Sequence, residues 1–180
     1  MRRILEIGHG GIPFSYGDNC RVKNFAAKLP PDVLYCGVDM PSTRDAVRAH
    51  NTSIFERQYR KVSPGRVALL GMDAAQLAFR DGVFDEAHMH NVVTDYLVPA
   101  SCVRRMLREI FRVLKDGGSL IITGEAGSKV FHDSSLSVED AGFSLCHPAS
   151  LSVHTVFAWQ ILQGHSFPEA FMIVGKKEMG

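Results

Sequence analysis

Hydrophobic residues fall along this chain in two rhythms. Short runs rich in aliphatic and β-branched residues occur at 3–7, 33–38, 66–71, 86–91, 119–123 and 170–174, and their length and lack of helical period predict six strands. A second rhythm governs 100–115, where Val103, Met106, Leu107, Ile110, Phe111 and Leu114 recur at helical spacing and predict a helix lying on a sheet. Helices are expected in the other gaps as well. One is predicted at 19–28, ended by Pro30 and Pro31, and another starts at Pro41 and Ser42, where Ser42 and Asp45 fit a capping box and 50–53 interrupts the pattern. Asp116, Gly117 and Gly118 should turn the chain out of the 100–115 helix into the next strand. Strands alternating with helices predict an α/β fold, a parallel sheet covered by helices.

Composition bounds this picture without redirecting it. The chain has 180 residues, 46% hydrophobic and 22% charged, which predicts a single domain over 1–180. A formal net charge of +1 supplies no field to recruit nucleic acid or an anionic membrane. The longest apolar runs, such as 120–123 and 171–174, are far short of the ~20 residues a membrane-crossing helix needs. Glu6 interrupts the apolar run after Met1, Arg2 and Arg3, so no signal-peptide core is read and a cytoplasmic location is expected. Cys20, Cys36, Cys102 and Cys146 show no CxxC spacing, which suits reduced thiols and argues against a thiolate metal site. Arg104, Arg108, Arg112 and Lys115 form a stripe on the helix face opposite the apolar one and are read as a solvated face, not a nucleic-acid surface.

Candidate chemistry gathers where the strands end. Gly8, His9, Gly10 and Gly11 follow the first strand, and glycines there let the backbone turn tightly and approach a ligand. The second strand ends in Gly37, Val38 and Asp39, an acid able to accept both hydroxyls of a ribose. After the third strand come Gly71, Met72, Asp73 and Ala74, where a carboxylate can accept from an adenine amine and a backbone amide can meet a ring nitrogen. A glycine loop and two acids at three successive strand ends outline a site shaped for adenosine.

These residues resemble the class I S-adenosylmethionine-dependent methyltransferases. The stretch ILEIGHGG is similar to that family's first motif, with Glu6 at its acidic position, and YCGVDM, which ends in Asp39 and Met40, to its ribose-binding strand. MDAAQLAFRDGVFDEAHMHNVV resembles the adenine-binding aspartate and fourth strand, LREIFRVLKDGGSLIITGE the fifth-strand region, and AFMIVGKK the final strand. The resemblance implies a doubly wound, mostly parallel seven-stranded sheet of Rossmann-like methyltransferase type, with an antiparallel last strand between the fifth and sixth. It implies S-adenosyl-L-methionine as cofactor, held by Glu6, Gly8, His9, Gly10, Gly11, Asp39, Met40, Asp73, Ala74 and the backbone at His90.

A nicotinamide-binding Rossmann domain is the nearest competitor. It is opposed by Pro13 at the third glycine position of GxGxxG and by the long spacing from Gly8 to Asp39. No GxxxxGK[ST] phosphate loop occurs. The family's NPPY signature is missing, since the fourth strand leads into Asn91, Val92, Val93 and Thr94, which disfavours adenine-N6 or glutamine methylation by that mode. The first strand begins almost at once, so no N-terminal cap is expected, and cover for the site falls to 12–20, 50–63, 150–165, a homo-oligomer or a partner subunit.

The implied reaction is in-line displacement of a methyl group from a sulfonium, in which positioning dominates and no universal catalytic residue is required. His132, after the fifth strand, is the candidate base, with Asp95, Tyr96 and Tyr16 as weaker alternatives. His88 and His90, two apart on the fourth strand, superficially suggest a metal pair, but no third ligand is identifiable and no metal is expected. The expected function is methyl transfer to an acceptor of open class. The alternative is a methyltransferase-like cofactor-binding or partner subunit without turnover.

Overall fold

The computed structural model describes residues 1–8, 31–40, 66–90, 92–93, 98–125, 133, 137–146 and 170–179. The helices expected at 19–28 and from Pro41, with the interruption at 50–53, lie outside the described residues. Among the described residues, seven strands and one long helix are found: β1 (Arg2–Ile7), β2 (Val33–Asp39), β3 (Val67–Gly71), β4 (Phe84–His90), α1 (Ala100–Val113), β5 (Leu114–Glu125), β6 (Ser144–Cys146) and β7 (Ala170–Lys176). All six strands read from the hydrophobic runs are present.

The strands form one sheet in the order β3-β2-β1-β4-β5-β7-β6. β1 pairs in parallel with β2 and β4, β2 with β3, and β4 with β5, while β7 runs antiparallel to both β5 and β6. This is the doubly wound, mostly parallel sheet with an antiparallel last strand that the resemblance implied. The order reverses beside β1, so the carboxyl ends of β1 and β4 open a crevice where ligands of such sheets bind.

Register assigns each strand residue to a face. Leu5 pairs with Ala87 and Ile7 with Met89, and Leu120 and Ile122 continue that face on β5. These residues join Val103, Met106, Leu107 and Ile110 of α1 in one buried cluster, so the apolar stripe of the helix covers the middle of the sheet. Ile4, Glu6, Glu86, His88 and Ile121 alternate onto the opposite face.

Three sequence expectations need correction. No helix fills the gap between β3 and β4; residues 72–83 form turns. The Asp73 carboxylate accepts from Ala75 N–H and its carbonyl from Gln76 N–H, while Gly82 takes φ 63° to turn the chain back. These local bonds satisfy part of the backbone outside a helix, and α1 satisfies more of it through Glu109 and Arg112. α1 stops at Val113 rather than Lys115, because Leu114 is extended at φ −74°, ψ 140° and already pairs with Phe84. Residues 115–118 are then looped out before Ser119 pairs with Glu86, and Gly117 takes φ 74° and donates to the Lys177 carbonyl. Finally, β6 was not foreseen from the pattern.

Candidate functional site

The crevice begins with Gly8. Its φ of 68° is a left-handed conformation that a side chain resists, and its N–H donates to the Val38 carbonyl at 2.9 Å, tying the ends of β1 and β2 together. A Cβ at this position would lie 2.6 Å from Cγ2 of Val92, so the close approach is sterically specific to glycine. Asp39 closes β2, half-buried, opposite Gly71 of β3. Its carbonyl accepts from Met72 N–H at 2.8 Å, and its Oδ1 accepts from Met40 N–H at 2.8 Å, which orients the carboxylate at the edge; the Met40 side chain is exposed.

Asp73 lies just beyond β3 and is exposed. Its Oδ1 is held by Ala75 N–H at 2.8 Å, which leaves the rest of the carboxylate turned outward as an acceptor. Ala74 is buried, and its N–H makes no hydrogen bond among the described residues. An acid at the end of β2, a second acid beyond β3 and an open amide donor fit the vicinal hydroxyls, exocyclic amine and ring nitrogen of adenosine. His90 ends β4, its backbone paired with Thr123 and one residue past the Met89–Ile7 pair, which brings that strand end beside Gly8.

The structure therefore gathers Gly8, Asp39, Met40, Asp73, Ala74 and the backbone of His90 along one edge of the sheet. Glu6 lies one pleat below that edge, where its carboxylate accepts a hydrogen bond from the Tyr35 hydroxyl. His9, Gly10, Gly11 and His132 lie outside the described residues, as do Tyr16, Asp95 and Tyr96. Among the described residues, no group of three His, Cys, Asp or Glu side chains could hold a metal ion. His88 has other work: its Nε2 lies 2.7 Å from Oε1 of buried Glu86, whose Oε2 takes a 2.9 Å bond from Arg2.

One part of the surroundings escaped the sequence reading. Arg112 is not part of a solvated stripe: its guanidinium donates to both oxygens of Glu109, to the Leu77 and Phe79 carbonyls and to Asp81. Glu109 also accepts from Leu77 N–H at 2.9 Å. The Arg112 hydrogen bonds hold the Glu109 carboxyl below the usual carboxylate range, and the same bonds raise the guanidinium further above its ordinary value. Lys115 of the same stripe is bonded to Asp85 at 2.6 Å, while Arg104 and Arg108 are exposed as expected. The signal was available in Glu109, an acid three residues ahead of Arg112 on the helix.

Fold and edge together define an α/β protein whose strand ends carry groups that could hold a nucleoside, and comparison with known proteins narrows the class. Residues 34–122 match the family model of a methyltransferase domain. The chain has the fold of solved methyltransferases: it is 14% identical to an S-adenosylmethionine-dependent methyltransferase from Aquifex aeolicus, over 97% of this chain and 81% of that one, with a TM-score of 0.62. A Haloferax volcanii complex of the Trm112 methyltransferase activator with a methyltransferase gives 12% identity, 99% and 83% coverage and a TM-score of 0.64. The 4+2 cyclase SpnF gives 19% identity, 99% and 76% coverage and a TM-score of 0.62. No curated protein matches the sequence. Residues 34–122 thus match a methyltransferase domain carried on the fold of class I methyltransferases, and the cofactor of that class is S-adenosyl-L-methionine. No described helix is long and apolar enough to cross a membrane.

Proposed function

We propose that residues 1–180 form one methyltransferase domain that binds S-adenosyl-L-methionine across the ends of β1 to β3 and transfers its methyl group in the cytoplasm. The observation that carries this reading is the pairing of Asp39 with Asp73 on adjoining strand ends, beside a Gly8 that no larger residue can replace without strain. Asp39 accepts the ribose hydroxyls, Asp73 the adenine amine, and the Ala74 N–H donates to the adenine ring. Glu6, Gly8, His9, Gly10, Gly11, Met40 and the His90 backbone complete the cofactor-binding set.

The cofactor supplies a methyl group on a sulfonium, which an oxygen, nitrogen, sulfur or carbon nucleophile displaces in line. The protein's share is to hold nucleophile and methyl carbon roughly 3–3.5 Å apart and aligned. His132 is the residue proposed to take a proton from acceptors that must lose one. A homo-oligomer or partner subunit is proposed to cover the edge, a reading supported by the activator-bound relative. The second reading, a cofactor-binding subunit without turnover, draws on the same relative and on SpnF, whose name is that of a cyclase on this fold.

Calorimetry tests the cofactor site. The parent binds S-adenosyl-L-methionine in preference to NAD, and Asp39→Ala weakens binding about 10- to 100-fold, the worth of a hydrogen bond to a charged acceptor. Unchanged affinity in the variant removes Asp39 from the site, and preference for NAD overturns the family's cofactor for this chain. Labelled cofactor with extracts of small molecules, peptides and RNA then identifies the acceptor. No label transfer to any of them favours the second reading, and full turnover by His132→Ala removes that base.

A further inference from the structure

Residues 72–83 carry the proposed adenine-reading turn with no helix or strand of their own, so their backbone polar groups must find partners elsewhere. At the entrance Met72 N–H bonds Asp39, and at the exit Gly82 and Val83 donate to the Arg112 and Val113 carbonyls at 3.1 and 2.7 Å. The middle is held by side chains. Leu77 is buried, and α1 satisfies both of its backbone groups: Glu109 Oε2 accepts its N–H at 2.9 Å and Arg112 Nη2 donates to its carbonyl at 2.8 Å. Arg112 Nη1 adds the Phe79 carbonyl at 2.8 Å and Asp81 at 2.7 Å, while Nε and Nη2 grip Glu109 at 3.0 and 2.7 Å.

The neighbours of Leu77 relay this hold to the turn. Gln76 N–H bonds the Asp73 carbonyl at 3.0 Å, and Ala78 N–H bonds Sδ of Met72 at 3.3 Å. Fixing Leu77 on both sides therefore fixes the residues that aim Asp73. Apolar contacts also seat the segment, through buried Ala74 and Leu77 in the core cluster that α1 joins and through the edge-on pair of Phe79 with Phe84 of β4 at 4.9 Å. Such contacts are non-directional and set proximity, whereas a planar guanidinium fork sets angle.

We propose that Glu109 and Arg112 are positioning residues for nucleobase recognition, acting through Leu77 to hold Asp73 and Ala74 against the amine-bearing edge of adenine. This rests on the cofactor reading above. Its consequence is that the pair governs discrimination between a purine carrying an amine at C6 and one carrying a carbonyl there, not merely stability.

The test compares binding of S-adenosylhomocysteine and S-inosylhomocysteine by calorimetry. The parent prefers the adenosyl compound about 10-fold or more, because the C6 carbonyl gives Asp73 no donor. Arg112→Met collapses that ratio toward one while affinity for the inosyl compound changes little. Arg112→Lys does not rescue it, since a point charge cannot span Leu77, Phe79 and Glu109 together. Glu109→Gln keeps an acceptor for Leu77 N–H and gives a partial loss, which carries the test if Arg112→Met fails to fold. In an Asp73→Asn background, neither change alters the ratio further. A merely structural role weakens both compounds equally, and a parent ratio retained in Arg112→Met or, failing that variant, in Glu109→Gln overturns the inference. A parent that binds both compounds alike also overturns it. A parent that binds neither defeats the cofactor reading itself, an outcome distinct from the others.

Discussion

The two faces of the sheet are buried in its middle by different chemistry. Toward α1, the strands β1, β4 and β5 bring Leu5, Ile7, Ala87, Met89, Leu120 and Ile122, all apolar and closed by the helix stripe. Away from α1, the same strands bring Ile4 and Ile121 but also Glu6, Glu86, His88 and Thr123. Apolar packing rewards volume and tolerates neighbours of similar size, whereas hydrogen-bonded acids demand direction. That difference bears on register. A one-residue slip of β4 would carry Glu86 and His88 into the α1 core, away from Arg2, and leave buried charge without its partner. The polar face thus specifies the alignment that brings Gly8 and His90 to the same edge, and the apolar face supplies most of the stabilisation.

The largest effect that separates the two faces is expected from Leu120→Ala. Leu120 is fully buried on a central strand under α1, and truncation there costs about 2–5 kcal/mol in transfer and cavity terms. Urea denaturation should read it as a fall in midpoint with little change in slope. A loss under ~1 kcal/mol would mean the α1 face repacks freely and is not the main support.

A smaller loss is expected from Glu86→Ala on the opposite face. His88 and Arg2 would each lose a charged acceptor, and such bonds are worth about 1.5–3 kcal/mol, but the Arg2 side chain is 33% exposed and water takes over part of its share. Glu86→Gln, which keeps one oxygen to accept from Arg2 and presents an amide N–H that can donate to the His88 ring, should recover part of the stability. Equal losses for the two variants would show that charge and not direction holds this face, and would remove the register argument.

The sequence made the six longer strands and the apolar stripe of α1 legible because each has a local period. Strand-end chemistry was legible for a related reason: Gly8, Asp39 and Asp73 each follow an apolar run directly, so their place at the edge came from the strand itself. β6 has only Ser144, Leu145 and Cys146, and its pairing is supplied by β7 from far along the chain. Residues 72–83 were expected to be helical because most connections in such folds are; the bonds that decide otherwise come from Asp73 locally and from α1 at a distance. Arg112 was misread for the same cause. On a helical wheel it joins Arg104 and Arg108, and only the folded chain brings Leu77 and Phe79 within its reach. His88 drew notice as half of a superficial metal pair with His90, while its hydrogen-bond partner Glu86 went unremarked, and Arg2, which pairs with Glu86, lies at the start of β1.

The smallest expected effect concerns pH and sharpens where charge works on the α1 side, whose interior has none. Glu109 is held below the usual carboxylate range by Arg112, assisted by Leu77 N–H, against the opposing pull of burial. Asp85 is also lowered: burial alone would raise it, but bonds from Lys115 and Arg3 N–H, with the charges of Lys115 and Arg2, outweigh that effect. A folded-state pKa below the unfolded one means that the unfolded chain takes up protons first as pH falls. Both groups therefore contribute fully above the ordinary carboxylate pKa of about 4, and the contribution is lost as pH falls through their folded values. Both acids are partly exposed, so solvent keeps the effect modest. Thermal melting of the parent and Glu109→Gln across pH 7 to about 3 isolates the Glu109 share. The parent's advantage should be constant near neutrality and shrink in acid, because protonated Glu109 and glutamine present Arg112 with similarly neutral partners. A gap that stays constant through the acid range would assign the pair's contribution to shape and hydrogen-bond count rather than to charge.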